Sequence, residues 1–160
     1  MRVFIENEAG ARRKNIYDER TLAHQRSVEV SAAYPFPYGF VLGTVSGDGD
    51  AVDCFVLTEA VLPSGSTVEC EPVGLIEQIE DGEIDHKVLA VPRGDEVRVD
   101  STTVTAIKTF IAGVFAHVPG KRMDIGRLLD RSAAEAYLSK CRDEYSRLSG
   151  AASAAIRRLD

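Results

Sequence analysis

Apolar and polar residues alternate in short runs through the first hundred positions, and from Ser101 onward apolar residues recur every three or four, so strands precede helices. Val3-Phe4-Ile5-Glu6 is a short apolar strand that ends on an acid, and Gly10 breaks the chain before Arg12-Arg13-Lys14. Arg26 to Ser31 alternates as a half-exposed strand does, while Val52 to Leu57 is a continuous apolar run and reads as a buried strand. Pro63-Ser64-Gly65-Ser66 turns the chain into Thr67 to Ile76, where the interruption from Pro72 to Gly74 predicts the bulge that small barrels use at their corners. Ile79 to Asp85 is an acidic turn, and His86 to Val91 leaves it as a strand that stops at Pro92.

Beyond Ser101, the stripe Ile107, Phe110, Ile111, Val114 and Val118 predicts one helix, capped by Ser101 or Thr102 and ended by Pro119-Gly120. A second helix is expected from about Ser132, with Ser132 as cap and Glu135 three residues on, burying Ala134, Tyr137, Leu138, Cys141 and Tyr145 until Ser149-Gly150 closes it. The tail from Ala151 to Asp160 has high helix propensity and little apolar surface, as a segment that frays or packs on a neighbouring subunit would. There is no internal repeat and no linker. The expected architecture is a single domain, residues 1–160, with a barrel of short strands over about 1–100 and a helical part over about 101–160.

One stretch carries the candidate chemistry. Asp48-Gly49-Asp50-Ala51-Val52-Asp53 sets three carboxylates within six residues. Such like charges repel unless a cation sits among them, and hard divalent ions such as Mg²⁺ take oxygen ligands of this kind. The same composition also makes ordinary solvated surface turns. An EF-hand loop is excluded, because Glu59 is the acid nearest the position of its twelfth-residue glutamate and lies beyond a strand-like run. Asp85 and Lys87 share one face of the following strand, either as a cross-strand pair or as a metal ligand beside a phosphate-binding ammonium.

Composition narrows the partners. The formal net charge of −6 counts against wholesale binding to a nucleic-acid backbone, and no apolar run approaches the length of a membrane span. Met1-Arg2-Val3-Phe4 opens directly into strand-like sequence, so a cytoplasmic protein is expected, with no nucleic-acid or membrane partner. Cys54, Cys70 and Cys141 are odd in number and widely spaced, which suits small buried hydrophobes. His24, His86 and His117 are isolated from one another and from the cysteines, so no zinc spacing is present.

Taken in order, Tyr34-Pro35-Phe36-Pro37-Tyr38-Gly39, the Asp48 to Asp53 signature, Val73-Gly74, and Asp85 followed by Lys87-Val88-Leu89-Ala90-Val91-Pro92 resemble the soluble inorganic pyrophosphatase family over residues 3 to about 92. The resemblance implies an α+β, mainly β fold: a five-stranded OB-like Greek-key barrel with C-terminal helices packed on it. It implies Mg²⁺-dependent hydrolysis of pyrophosphate, or another small phosphoanhydride, to phosphate by a metal-activated water. Asp48, Asp53 and Asp85 would hold the tightest metals, Glu80 would complete the substrate-carried ones, and Glu6 would sit near them. Asp50 would orient and deprotonate the water. Lys14, Arg26, Tyr38 and Lys87 would grip the two phosphates, with Tyr34 lining the wall. A homo-oligomer is implied, of the hexameric kind common in bacterial-type relatives, with the apolar first helix as a candidate interface.

The chain departs from this pattern in three places. Ala51 stands where a proline is usual, Ile16 stands where a glutamate is expected two residues after the first lysine, and Val114-Phe115 falls where a Tyr-Lys pair holds the leaving phosphate. Lys108, His117, Lys121 and Arg122 are the candidates to replace those two donors. Alternatives therefore remain: a protein that binds metal and a phosphorylated ligand without turnover, a hydrolase of a larger phosphoanhydride that lays an organic group on the apolar wall, or an oligonucleotide-binding barrel. The last is disfavoured by net charge and by the lack of interleaved basic and aromatic residues.

Overall fold

The computed structural model describes residues 1–156; the last four residues of the expected tail lie outside the described residues. In chain order the elements are β1 (Arg2–Asn7), β2 (Arg13–Tyr17), β3 (His24–Glu29), β4 (Tyr38–Val41), β5 (Asp53–Val56), β6 (Thr67–Glu80), β7 (Glu83–Ile84), β8 (Lys87–Pro92), α1 (Ser101–Gly113), β9 (Met123–Leu129) and α2 (Arg131–Ile156).

Five strands close a ring. β1 pairs with β4, β4 with β5, β5 with β8, β8 with β6, and β6 returns to β1, with β5–β8 the parallel pair among antiparallel ones. Closure leaves these strands without the free edges that invite aggregation. The predicted bulge is present, since the β6–β8 register shifts between Pro72 and Gly74. β1 and β4 approach closely enough that a Cβ on Gly39 would lie 1.7 Å from the Phe4 carbonyl oxygen, which gives the glycine after Tyr38 its steric reason. β2 and β3 form a separate two-stranded ribbon.

The strands are apolar on both faces because both are covered. Val3, Val41, Cys54, Val56, Val88 and Ala90 pack with Ala134, Leu138 and Cys141 of α2, whereas Tyr38, Phe55, Leu57, Leu89 and Val91 pack with Ile107, Phe110 and Ile111 of α1. All three cysteines are free and buried, as expected of small hydrophobes. Phe110 anchors α1, with its ring centroid 4.5 Å from that of Tyr34 and 6.0 Å from that of Phe55.

The second half differs in detail from the sequence expectation. Residues 123–129 form a strand, not part of a helical region, because the fourteen-residue β6 runs on past the ring and offers an edge that β9 and the short β7 pair with. α1 stops at Gly113, and Val118 is 40% exposed beyond it. Its cap is Asp100, whose Oδ1 accepts the Thr103 N–H at 2.7 Å. In α2 the Ala133 N–H donates to Asp130 Oδ1 at 3.0 Å, so Asp130 takes the capping role expected of Ser132; the helix continues through Gly150, with Tyr145 exposed. The stripe Ile107, Phe110, Ile111 and Val114 is buried within the chain, so it is not available as a subunit interface.

Candidate active site

At one end of the ring lies a cavity of about 540 Å³ whose lining includes Glu6, Lys14, Tyr34, Tyr38, Asp48, Asp50, Asp53, Glu80, Asp85 and Lys87. Every candidate site residue read from the sequence is there except Arg26. That arginine is exposed on β3, paired in register with Ile16, and its neighbour Gln25 enters the lining instead.

Eight acids line this space, and the six expected from the sequence reach it from separate segments. Glu6 comes from the buried end of β1, Asp53 from the first position of β5, Glu80 from the end of β6, and Asp85 from the approach to β8. Asp48 and Asp50 sit on the preceding loop. There the Asp50 N–H donates to Asp48 Oδ1 at 3.1 Å, and Gly49 turns the chain at φ 93°. A side chain at that φ would be strained, hence glycine between the first two aspartates.

Burial and mutual repulsion tune these groups. The Glu6 carboxyl is pushed up to about 8, first by burial and then by the Asp53 charge. Burial also raises Asp85, to about 7, with Asp53 adding to the effect against the opposing pull of Lys87. Asp50 is raised by partial burial and by the charges of Asp48 and Asp53. Asp53 goes the other way: burial opposes its ionisation, but the Lys87 and Lys14 ammoniums hold it below the usual carboxylate range. Lys87 Nζ lies 2.5 Å from Asp53 Oδ2 and 2.7 Å from Asp85 Oδ2, so one cationic centre is already shared by two of these carboxylates. Burial disfavours the charge on Lys87, yet those two acids raise it well above its ordinary value.

The donor set fits a hard divalent ion. The cavity lining offers carboxylate oxygens and contains no cysteine or histidine. Gln78 adds a neutral oxygen: its Nε2 donates to Asp85 Oδ2 at 3.1 Å and to Glu80 Oε2 at 3.3 Å, while its buried Oε1 has no partner. Among the described residues no three acids or other ligating side chains form a ready-made tight cage.

One wall of the cavity is apolar. Phe110, Ile111, Val114, Phe115 and Met123 line it, so the positions expected to carry a Tyr-Lys pair do face the cavity but bring no donor. Two ammoniums flank the Phe115 ring, Lys14 Nζ at 5.8 Å and Lys121 Nζ at 5.4 Å from its centroid. Lys121 also pairs with Glu80 and with Asp81. Of the other replacement candidates, Lys108 Nζ donates to the Gly126 carbonyl at 2.8 Å, His117 Nδ1 lies 2.5 Å from Ser31 Oγ, and Arg122 pairs with Asp124.

Four polar lining residues escape the sequence reading: Glu19, Arg20, Gln25 and Gln78. Gln78 is two positions before Glu80 on one strand, hence on its face, and that period-two relation was the available signal. Glu19 lies at the tip of the β2–β3 ribbon, where no periodicity marks it. Asp18 also lines the cavity, with its Oδ1 engaged by the Arg20 and Thr21 N–H groups at 2.9 and 2.7 Å.

A closed barrel whose mouth gathers acids with lysines and buried phenols has the donor set that suits a polyanion accompanied by divalent ions. The family model for inorganic pyrophosphatase matches residues 3–146. An inorganic pyrophosphatase of Nanoarchaeum equitans is 27% identical over 90% of this chain and 96% of its own length. One of Saccharolobus solfataricus is 40% identical over 57% of this chain, an alignment that spans 54% of that relative. The crystal structure of inorganic pyrophosphatase from Thermus thermophilus superposes with a TM-score of 0.82 at 27% identity, over 91% of both chains. The chain belongs to the inorganic pyrophosphatase family, a family of hydrolases that need a divalent metal.

Proposed function

We propose that this chain hydrolyses inorganic pyrophosphate to two phosphates, with Mg²⁺ as the divalent ion and Asp50 as the base for the attacking water. The observation that carries this is the convergence of Glu6, Asp48, Asp50, Asp53, Glu80 and Asp85 with Lys14 and Lys87 in one cavity of a chain from this family. Asp48, Asp53 and Asp85 would hold the ions most tightly, with Glu6 and Glu80 beside them. Ions bound there would lower the pKa of a water and neutralise charge building on phosphoryl oxygens.

The chain's own groups do the rest. The Asp50 carboxylate lines the cavity beside Asp48 and Asp53, where it can accept a proton from a water held there. Tyr34 and Tyr38 are held as protonated phenols by burial, so each offers a hydroxyl donor to a phosphate oxygen. Lys14 and Lys87 supply positive charge at the two phosphates. The test is phosphate release from pyrophosphate with Mg²⁺, comparing wild type with Asp50→Asn: release by the first and at least a hundredfold less by the second is expected. Equal release by both, or none by either, contradicts it.

The apolar wall of Val114 and Phe115 supports a second reading, a larger phosphoanhydride whose organic group lies there. Release from nucleoside triphosphates faster than from pyrophosphate would favour it. We further propose a cytoplasmic homo-oligomer, in the first instance a hexamer. No helix among the described residues is long and apolar enough to cross a membrane, and Val118, Leu128, Tyr145 and Leu148 are exposed apolar side chains. Light scattering tests the assembly.

A further inference from the structure

We propose that Glu19 is a latch that ties the β2–β3 ribbon to the 48–53 loop and so positions Asp50 against Lys14, an inference that rests on the activity proposed above. Both carboxylate oxygens of Glu19 accept from the Ala51 N–H, at 3.0 and 2.9 Å. That bond comes from an element 32 residues away in the chain.

Its place in the loop gives it leverage. The peptide that follows Asp50 is gripped at both ends, its carbonyl by the Ser46 N–H at 2.7 Å and its N–H by Glu19. With the Asp50 N–H on Asp48 Oδ1, the backbone that aims the Asp50 carboxylate is fixed on either side. A proline at position 51 would present no N–H and would restrict the backbone by its ring; Ala51 does neither, and the bond to Glu19 supplies the restraint.

The ribbon tip is built to hold Glu19 there. Asp18 Oδ1 accepts two N–H bonds across the tip, the Leu22 N–H donates to the Asp18 carbonyl at 2.7 Å, and Leu22 takes φ 58°, unusual for a branched side chain. Beneath the latch, Tyr17 and Leu22 pack on the cluster formed by Phe4, Phe40 and Ala51. A polar and an apolar contact therefore join the same two segments. One carries Lys14 at the cavity and the other carries Asp50, so the latch fixes the spacing between a phosphate-facing ammonium and the base.

The role separates from a simple need for negative charge through two substitutions. Glu19→Gln keeps a side-chain oxygen at full reach without charge, and Glu19→Asp keeps the charge one methylene too short. Hydrogen exchange of the Ala51 amide, measured on the metal-free protein, and kcat for pyrophosphate with Mg²⁺ are the readouts. The latch predicts that Glu19→Gln keeps Ala51 protection and most turnover. It predicts that Glu19→Asp and Glu19→Ala lose protection and drop kcat by about tenfold or more. Turnover kept by Glu19→Asp and lost by Glu19→Gln would overturn it in favour of a charge or ion-binding role. Equal Ala51 exchange in wild type and Glu19→Ala would overturn it outright. If wild type releases no phosphate, the proposed activity fails while the exchange data still decide the latch.

Discussion

The two walls of the cavity follow different rules. On the acid wall, Glu6 sits at the β1 register shift near that strand's end, Asp53 opens β5, and Asp85 lies two residues before β8 with its N–H on the Gln78 carbonyl. On the helix wall, Val114, Phe115 and Met123 come from the turn after α1 and from β9, packed against the ring but not part of it. The acid wall has the family's ligand types, and the helix wall lacks the expected donor pair. Under the proposed function, ion binding would be anchored in the barrel itself, while the grip on the second phosphate would fall to an added layer that can vary without disturbing the barrel.

The sharpest contrast comes from Asp53→Asn, which removes the acid held by both Lys87 and Lys14 and should lower phosphate release by about a thousandfold. Removing the carboxylate altogether, Asp53→Ala, leaves buried Lys87 with Asp85 alone and should destabilise the fold by about 3 kcal/mol in chemical denaturation. An activity loss no greater than that of a helix-wall substitution would erase the distinction between the walls.

Next in size is the pH dependence of the metal-free protein. Glu6 at about 8 and Asp85 at about 7 lie above their ordinary values of 4.5 and 3.8. Between the ordinary and the raised values the folded chain holds protons that the unfolded chain has released, so stability declines as pH rises through that window. Thermal melts should show a lower Tm at about pH 8 than at about pH 5, and Mg²⁺ should recover more of it at the higher pH by binding the folded, ionised form. A Tm that rises over this range would contradict the assignment of the acids to one crowded site.

Smaller effects are expected on the helix wall. Lys121→Met, which removes an ammonium near Phe115, should raise KM for pyrophosphate about tenfold with kcat little changed, the size of one charge-assisted contact. Phe115→Leu, which removes the ring beneath Lys14 and Lys121, should raise KM by about two- to threefold. If neither substitution moves KM, the helix wall contributes no phosphate contact at all.

Much of the acid wall was legible in the sequence because its spacing is local: the Asp48 to Asp53 signature and the Asp85, Lys87 pair each lie within one strand and its approach. A barrel of short strands was legible as well, through period-two runs and the Pro72 to Gly74 bulge, whereas the count of five strands came from the family resemblance. Beta-strand β9 was not, since Met123 to Leu129 gains its reason to be extended from the far edge of β6, a tertiary demand that propensity does not carry. Glu19 was hidden for a related reason. Its partner, the Ala51 N–H, is a backbone group that any residue but proline presents, so nothing in either segment names the other.

Calorimetric titration of Mg²⁺ into the metal-free protein, with and without pyrophosphate and with Asp53→Asn alongside, asks the question closest to the chemistry. Saturable Mg²⁺ binding by wild type, tightened by pyrophosphate and lost in Asp53→Asn, is the expected result. Absence of saturable binding in wild type, or binding that Asp53→Asn leaves intact, would contradict the assignment of this cavity to a divalent ion.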